Sequence, residues 1–193
     1  MKSIAVFCAS SIGFDSVYYE QSKFFGEFLA QHDITVVYGG GRMGLMGAVA
    51  DGALSFGGKV IGVIPKFLNS KEIGHREVSE LIEVDNMHQR KKLMNDLSDA
   101  VVALPGGFGT MEELFEMLTW AQLGLHRKPV ALLNINGFFD HLIQFIEQMV
   151  HAGLLKQNHL EMLIVEREPA ILLDRLQNYV APEVPKWLDA EQM

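Results

Sequence analysis

The sequence predicts an α/β fold of the Rossmann-like, doubly wound type, a mostly parallel sheet with helices on both faces. Two observations carry this. Short β-rich apolar runs recur along the chain, and longer segments with helical spacing separate them. The runs are nearly continuous in apolar residues instead of alternating, which is the pattern of strands buried on both faces. A β-α-β-α alternation of such strands implies parallel neighbours joined by helices that cross over the sheet.

The run "SIAVFCA" (3–9) opens the series, and the segment after it places Val17, Phe24, Phe25 and Phe28 at helical spacing. "ITVVYG" (34–39), "KVIGVIP" (59–65) and "LIEVD" (81–85) are the next strands. Between the last two, residues 65–79 form the longest irregular connection, a length often tied to function. "DNMHQRKKLMNDLSDA" reads as a helix with Asp85 or Asn86 as N-cap, and Met87, Arg90, Met94 and Leu97 share one stripe. "AVVALP" (100–105) leads into "MEELFEMLTWAQLG", where Leu114, Met117, Leu118 and Ala121 line up. "PVALLN" (129–134) precedes a stripe of Phe139, Leu142, Ile143, Ile146 and Met149, and "MLIVE" (162–166) is the seventh strand. No repeat or interdomain linker interrupts the chain. The expected organisation is one nucleotide-binding domain over residues 1–193, with a surface tail over 181–193.

Composition narrows the function classes. The formal net charge is −8, and Arg90-Lys91-Lys92 is the longest basic block. A nucleic-acid binder needs a positive surface that displaces counterions, so no nucleic-acid partner is expected. Cys8 is the only cysteine, which rules out an intrachain disulfide and a Cys-based zinc site. The histidines show no HxxxH or HExxH spacing, so no metal site and no cofactor are expected. No apolar run approaches the roughly 18 residues of a membrane span. The N-terminal run reads as a strand and not as a signal peptide, so the expected location is cytoplasmic.

In open α/β sheets, ligands bind beyond the carboxyl ends of the strands. Three loops hold that position: 9–13, which includes Ser10; "GGGRMGLMG" (39–47); and "PGGFGT" (105–110). Glycine lets backbone amides approach a ligand, and a following helix adds unpaired N–H groups and partial positive charge. Ser10, Gly39, Gly40, Gly41, Gly44 and Gly106 are therefore candidate phosphate-loop residues. Gly39-x-Gly41-x-x-Gly44 matches the dinucleotide fingerprint in form. That fingerprint also requires an acid at the end of the next strand, and none appears before Glu72. A mononucleotide or sugar-phosphate site fits better than NAD. The P-loop pattern is absent, which argues against ATP hydrolysis.

Two charged positions stand out, each with two readings. Arg90 shares a stripe with apolar residues, so it either lies along the core edge or turns its guanidinium inward onto phosphate or a carboxylate. Thr110-x-x-Glu113 is a capping box, in which Glu113 returns a hydrogen bond to the Thr110 amide. Its alternative is a carboxylate held beside a phosphate-type loop for chemistry. Glu112 needs no more than the helix dipole to explain it.

Together "GGGRMGLMG", "MHQRKKLM" and "PGGFGTMEEL" resemble the Lonely Guy family, cytokinin riboside 5′-monophosphate phosphoribohydrolases, some of which carry an older lysine decarboxylase label. The pattern PGGxGTxxE is intact from Pro105 to Glu113, and the family's Arg-Lys pair matches Arg90 and Lys91. The resemblance implies a homodimer that hydrolyses the N-glycosidic bond of N6-substituted adenosine 5′-monophosphates, with AMP among the candidate substrates, giving free base and ribose 5-phosphate. Carried over by motif, Arg90 and Glu113 are the catalytic pair. Glu72, Lys91, Gly107, Phe108, Gly109, Thr110, Met111, Glu112 and Thr119 fall at substrate-contacting positions. The competing reading is a non-catalytic carrier of a nucleotide or phosphorylated cofactor, for which the glycine loops suffice and Glu113 only caps its helix.

Overall fold

The computed structural model describes residues 1–69 and 74–183. Its strands are β1 (Ser3–Phe7), β2 (Thr35–Tyr38), β3 (Val60–Pro65), β4 (Glu80–Val84), β5 (Ala100–Ala103), β6 (Val130–Leu133) and β7 (Leu163–Glu166). The helices are α1 (Ser16–Gln31), α2 (Gly44–Ser55), the single turn α3 (Lys66–Asn69), α4 (Met87–Asp96), α5 (Phe108–Gln122), α6 (Asp140–His151), α7 (Gln157–Leu160) and α8 (Pro169–Gln177). All seven expected strands form, each within two residues of the apolar run that predicts it.

They make one sheet in the order β4-β3-β2-β1-β5-β6-β7. Every pairing is parallel, for example Ile4 with Val36 on one side and with Ala100 on the other. Strand order runs outward from β1 to β4 and then restarts at β5 on the other side. The switch point is therefore between β1 and β5, where the connections leave in opposite directions and open a crevice.

Side-chain alternation along β1 divides the core in two. Ile4 and Val6 pack with Phe25, Leu29, Val49, Leu172 and Leu176 under α1, α2 and α8. Ala5 and Phe7 pack with Met94, Leu114, Met117 and Phe139 under α4, α5 and α6. In α1, Phe25 is buried and Val17 and Phe28 pack against the core, whereas Phe24, expected on the same stripe, is exposed. One residue is about 100° of helix, and Phe24 falls just outside the sheet-facing arc. The connection after β3 is less irregular than expected, since α3 follows the strand directly and Gly74 bridges back to Gly41. Glu72 and residues 184–193 of the expected tail lie outside the described residues.

Candidate active site

The crevice at the switch point is a cleft of about 530 Å³, a size suited to a nucleotide-sized ligand. Its floor is Val6 and Phe7 at the end of β1, continued by Cys8, Ala9, Ser10 and Ser11. Gly39, Gly41 and Met46 come from the loop after β2 and from α2, Ile64 and Leu68 from β3 and α3, and Met87 and Arg90 from α4. The N-terminal turns of α5 close it with Gly107, Phe108, Gly109, Thr110, Glu112 and Glu113.

The two glycine loops do different work. Gly107 is the N-cap of α5 and supplies no side-chain cap. The first helical bond at this end runs from the Met111 amide to the Gly107 carbonyl. The amides of Phe108, Gly109 and Thr110 therefore precede the helical ladder, beside the cleft, at the positive end of a helix of 15 residues. At α2 the corresponding amides of Leu45 and Met46 donate to the Ala9 carbonyl at 3.0 and 3.2 Å. That helix end is closed by the chain itself. Gly44, at φ +66°, brings the loop so close to Ser10 that a Cβ would sit 2.2 Å from its carbonyl carbon. Gly44 serves this loop-on-loop contact, Gly40 packs against Ile64 and Leu81, and Gly106 backs onto the buried Thr110 side chain; none of the three lines the cleft.

The capping-box reading of Thr110 and Glu113 is overturned. A box requires Thr110 at the N-cap, but α5 starts at Phe108, which puts Thr110 inside the first turn and Glu113 beyond it. Glu113 is instead a buried carboxylate, 7% exposed. Arg90 Nη1 lies 3.8 Å from its Oε1. Burial raises the Glu113 carboxyl from 4.5 to about 7; Arg90 opposes the rise, Glu112 adds to it, and Lys91 and Glu116 act more weakly in the same two senses.

Arg90 is 9% exposed, on a helix whose N-cap is Asn86, the second of the two expected candidates; its side chain accepts from the Gln89 amide at 2.9 Å. Its Nη2 donates to the Gly39 carbonyl at 3.2 Å and its Nη1 to Met87 Sδ at 3.8 Å. Arg90 Nε has no protein acceptor among the described residues. The guanidinium approaches Gly39 so closely that a Cβ there would lie 1.7 Å from Nη2. A side chain at 39 would therefore displace the guanidinium.

Lys91 points away from the cleft. Its ammonium donates to Glu112 and, at 3.0 Å, to Glu116 Oε1. Burial works against its charge, yet the bonds to both carboxylates raise its pKa overall. Met111 and Thr119 also stand outside the cleft. Thr119 is exposed, donates to the Phe115 carbonyl at 2.7 Å, and borders an apolar groove of about 180 Å³ between α5 and α6 with Leu118, Ile146 and Met149.

Sequence reasoning missed Cys8, Met46, Ile64, Leu68 and Met87 as cleft residues. Cys8 lies one residue past β1, at the strand end the sheet rule singles out, and Met87 lies one turn before Arg90 on the same stripe. Ile64 and Leu68 carry no such signal. The Cys8 thiol is pushed far up by burial and by Glu113, with Arg90 opposing, so it is a neutral, apolar-like part of the floor.

Known proteins resemble the chain over most of its length. Residues 46–176 match the family described as "Possible lysine decarboxylase". A probable cytokinin riboside 5′-monophosphate phosphoribohydrolase of Oryza sativa subsp. japonica is 43% identical over 179 residues, 93% of this chain and 79% of the relative. A cytokinin riboside 5′-monophosphate phosphoribohydrolase of Arabidopsis thaliana is 44% identical over 93% of this chain and 84% of its own. The Moco carrier protein of Chlamydomonas reinhardtii superposes with a TM-score of 0.69 over 92% of this chain and 96% of its own, at 22% identity. That last likeness is one of fold.

Proposed function

The chain belongs to the Lonely Guy family of cytokinin riboside 5′-monophosphate phosphoribohydrolases, and from that membership we propose how its cleft hydrolyses the N-glycosidic bond of adenosine 5′-monophosphates, including N6-substituted ones. The observation that carries the site assignment is a single helix end: free amides at 108–110 and, about one turn further on, the buried carboxylate of Glu113. At 1.5 Å per residue the two lie roughly 4.5–7.5 Å apart along the axis, about the reach of a ribose 5-phosphate from phosphorus to anomeric carbon.

The phosphate takes the amides of Phe108, Gly109 and Thr110, where the helix dipole favours an anion. The ribose then lies along the helix toward Glu113. As the bond from C1′ to the base nitrogen breaks, its electron pair leaves with the base and positive charge grows on the sugar. The Glu113 carboxylate stabilises that charge and accepts a proton from the water whose oxygen bonds to C1′; the departing base nitrogen takes up a proton in turn. Products are free base and ribose 5-phosphate.

Arg90 favours the ionised form of Glu113 against the burial that raises its pKa. A buried carboxylate alone would keep its proton, and the guanidinium 3.8 Å away favours the anion. The Gly39 carbonyl, which accepts from Nη2 at 3.2 Å, fixes the guanidinium. Met46, Ile64, Leu68, Met87 and Phe108 offer apolar surface to the base.

The decarboxylase label finds no support in the chemistry of this site. A Schiff-base lysine must be neutral, and Lys91, the lysine beside the cleft, is held charged by two carboxylates. In this reading Lys91 offsets Glu112 and Glu116, which would otherwise repel phosphate from the end of α5. The protein acts as a homodimer: Thr119, at a substrate-contacting position of the family, faces away from its own cleft and sits beside an apolar groove suited to a second copy.

A chromatographic screen for base released from nucleoside monophosphates, with nucleosides and triphosphates as controls, tests the function. Hydrolysis of AMP or isopentenyladenosine monophosphate with strong preference over the nucleosides is expected. Binding of these nucleotides without base release would favour the carrier reading.

A further inference from the structure

His75 has no part in the reaction just described, yet its side chain is fully buried. A buried imidazole with every polar atom engaged is built for a purpose, and its partners define that purpose. The His75 amide donates to the Gly40 carbonyl at 2.9 Å. Nδ1 accepts from the Glu77 amide at 3.3 Å, so the ring proton resides on Nε2, which donates to Asp51 Oδ1 at 2.9 Å. Gly74, its neighbour, pairs with Gly41. One residue thus joins the segment before β4 to α2 and to the loop 39–41.

That loop is the seat of Arg90. Gly39 accepts Nη2 at 3.2 Å, and Gly40, at φ +73°, hangs from the His75 amide. We propose that His75, braced by Asp51, is a positioning residue that locks the Gly39–Gly41 loop and so places the Arg90 guanidinium against Glu113. The inference rests on the catalytic reading of Arg90 and Glu113 given above. It assigns no contact with substrate to His75 itself.

The geometry separates this role from general stabilisation. Phosphate is held at the other wall, by the end of α5, which neither His75 nor Asp51 touches. Loosening the clamp should therefore lower kcat and leave KM nearly unchanged. It should also move the acid limb of kcat upward in pH, because a displaced Arg90 no longer favours the Glu113 anion, while Lys91, Glu112 and Glu116 stay where they are on α4 and α5.

The test compares wild type, Glu113→Gln, His75→Leu, Asp51→Ala and Asp51→Asn for AMP turnover across pH, with amide hydrogen exchange on each. Asp51 is half exposed, so its variants are expected to fold even where His75→Leu does not. Asp51→Ala should lose roughly ten- to a hundred-fold in kcat, the usual consequence of a small misplacement at a reacting centre, with KM within about twofold. Asp51→Asn, which keeps the acceptor for Nε2, should restore wild-type behaviour. Exchange of the residue-75 amide should quicken in Asp51→Ala and His75→Leu and stay as in wild type in Asp51→Asn and Glu113→Gln. An Asp51→Ala protein with wild-type kcat and acid limb overturns the proposal, as does equal loss in kcat and KM that Asn fails to rescue. If the wild type releases no base, or Glu113→Gln retains turnover, the catalytic reading fails instead. The clamp is then decided by amide exchange alone, and unchanged protection overturns it.

Discussion

Replacing Glu113 by Gln should make the protein more stable while it abolishes the reaction. Its carboxyl ionises near 4.5 in an unfolded chain and near 7 in the folded one, chiefly because the fold buries it. The native state holds this proton more tightly than the unfolded state. Ionisation therefore penalises folding: stability is undiminished below pH 4.5, falls as pH rises toward 7, and then levels off. The difference between those two values corresponds to about 3 kcal/mol on the plateau. Gln is close to the protonated side chain in shape and carries no charge to desolvate, so Glu113→Gln escapes the penalty. Urea unfolding of both proteins from pH 4.5 to 8.5 reads the effect. The curves should coincide at the acid end and separate to about 3 kcal/mol above pH 7.5, with the variant the more stable. A variant less stable than wild type at pH 8, or a difference independent of pH, would refute the argument and return Glu113 to a structural role.

The same carboxyl sets a pH dependence for turnover. If the anion is the active form, kcat/KM should fall as pH drops through about 7, and loss of activity on the alkaline side of that value would contradict the assignment. Gly39→Ala places a methyl group 1.7 Å from Arg90 Nη2 and must expel the guanidinium; kcat should drop about a hundred-fold with KM little changed, and wild-type steady-state kinetics would refute it. Lys91→Met leaves Glu112 and Glu116 uncompensated next to the phosphate end of α5. KM for a monophosphate should rise about tenfold, whereas slow hydrolysis of the corresponding nucleoside should be unaffected, a contrast visible in side-by-side progress curves.

The fold was legible because its signal is repeated. Each strand is a short run buried on both faces, as in "VVAL" or "VALL", and no other arrangement than a covered parallel sheet hides so many. The place of the site was legible for the same reason, since strand ends and glycine loops mark a switch point without coordinates. Side-chain roles were less so. Thr-x-x-Glu states a capping box in any sequence, but the start of α5 is decided by the extended backbone of Gly107, three residues earlier. Lys91 reads as a neighbour of Arg90 along the chain, yet the 100° turn between consecutive helical residues sends one into the cleft and the other onto α5. His75 looked like one of several unremarkable histidines, because its partners Asp51 and Gly40 come from 24 and 35 residues away. The cleft contacts of Ile64 and Leu68 likewise depend on how α3 folds back, which no local pattern encodes.

The account rests on Glu113 as the group that meets the ribose, and the most direct measurement is kcat/KM for AMP in wild type and Glu113→Gln at pH 8, where the wild-type carboxyl is ionised. A fall of about 10³-fold or more in a variant that is folded and still binds the nucleotide is the predicted result. Turnover within tenfold of wild type would contradict it.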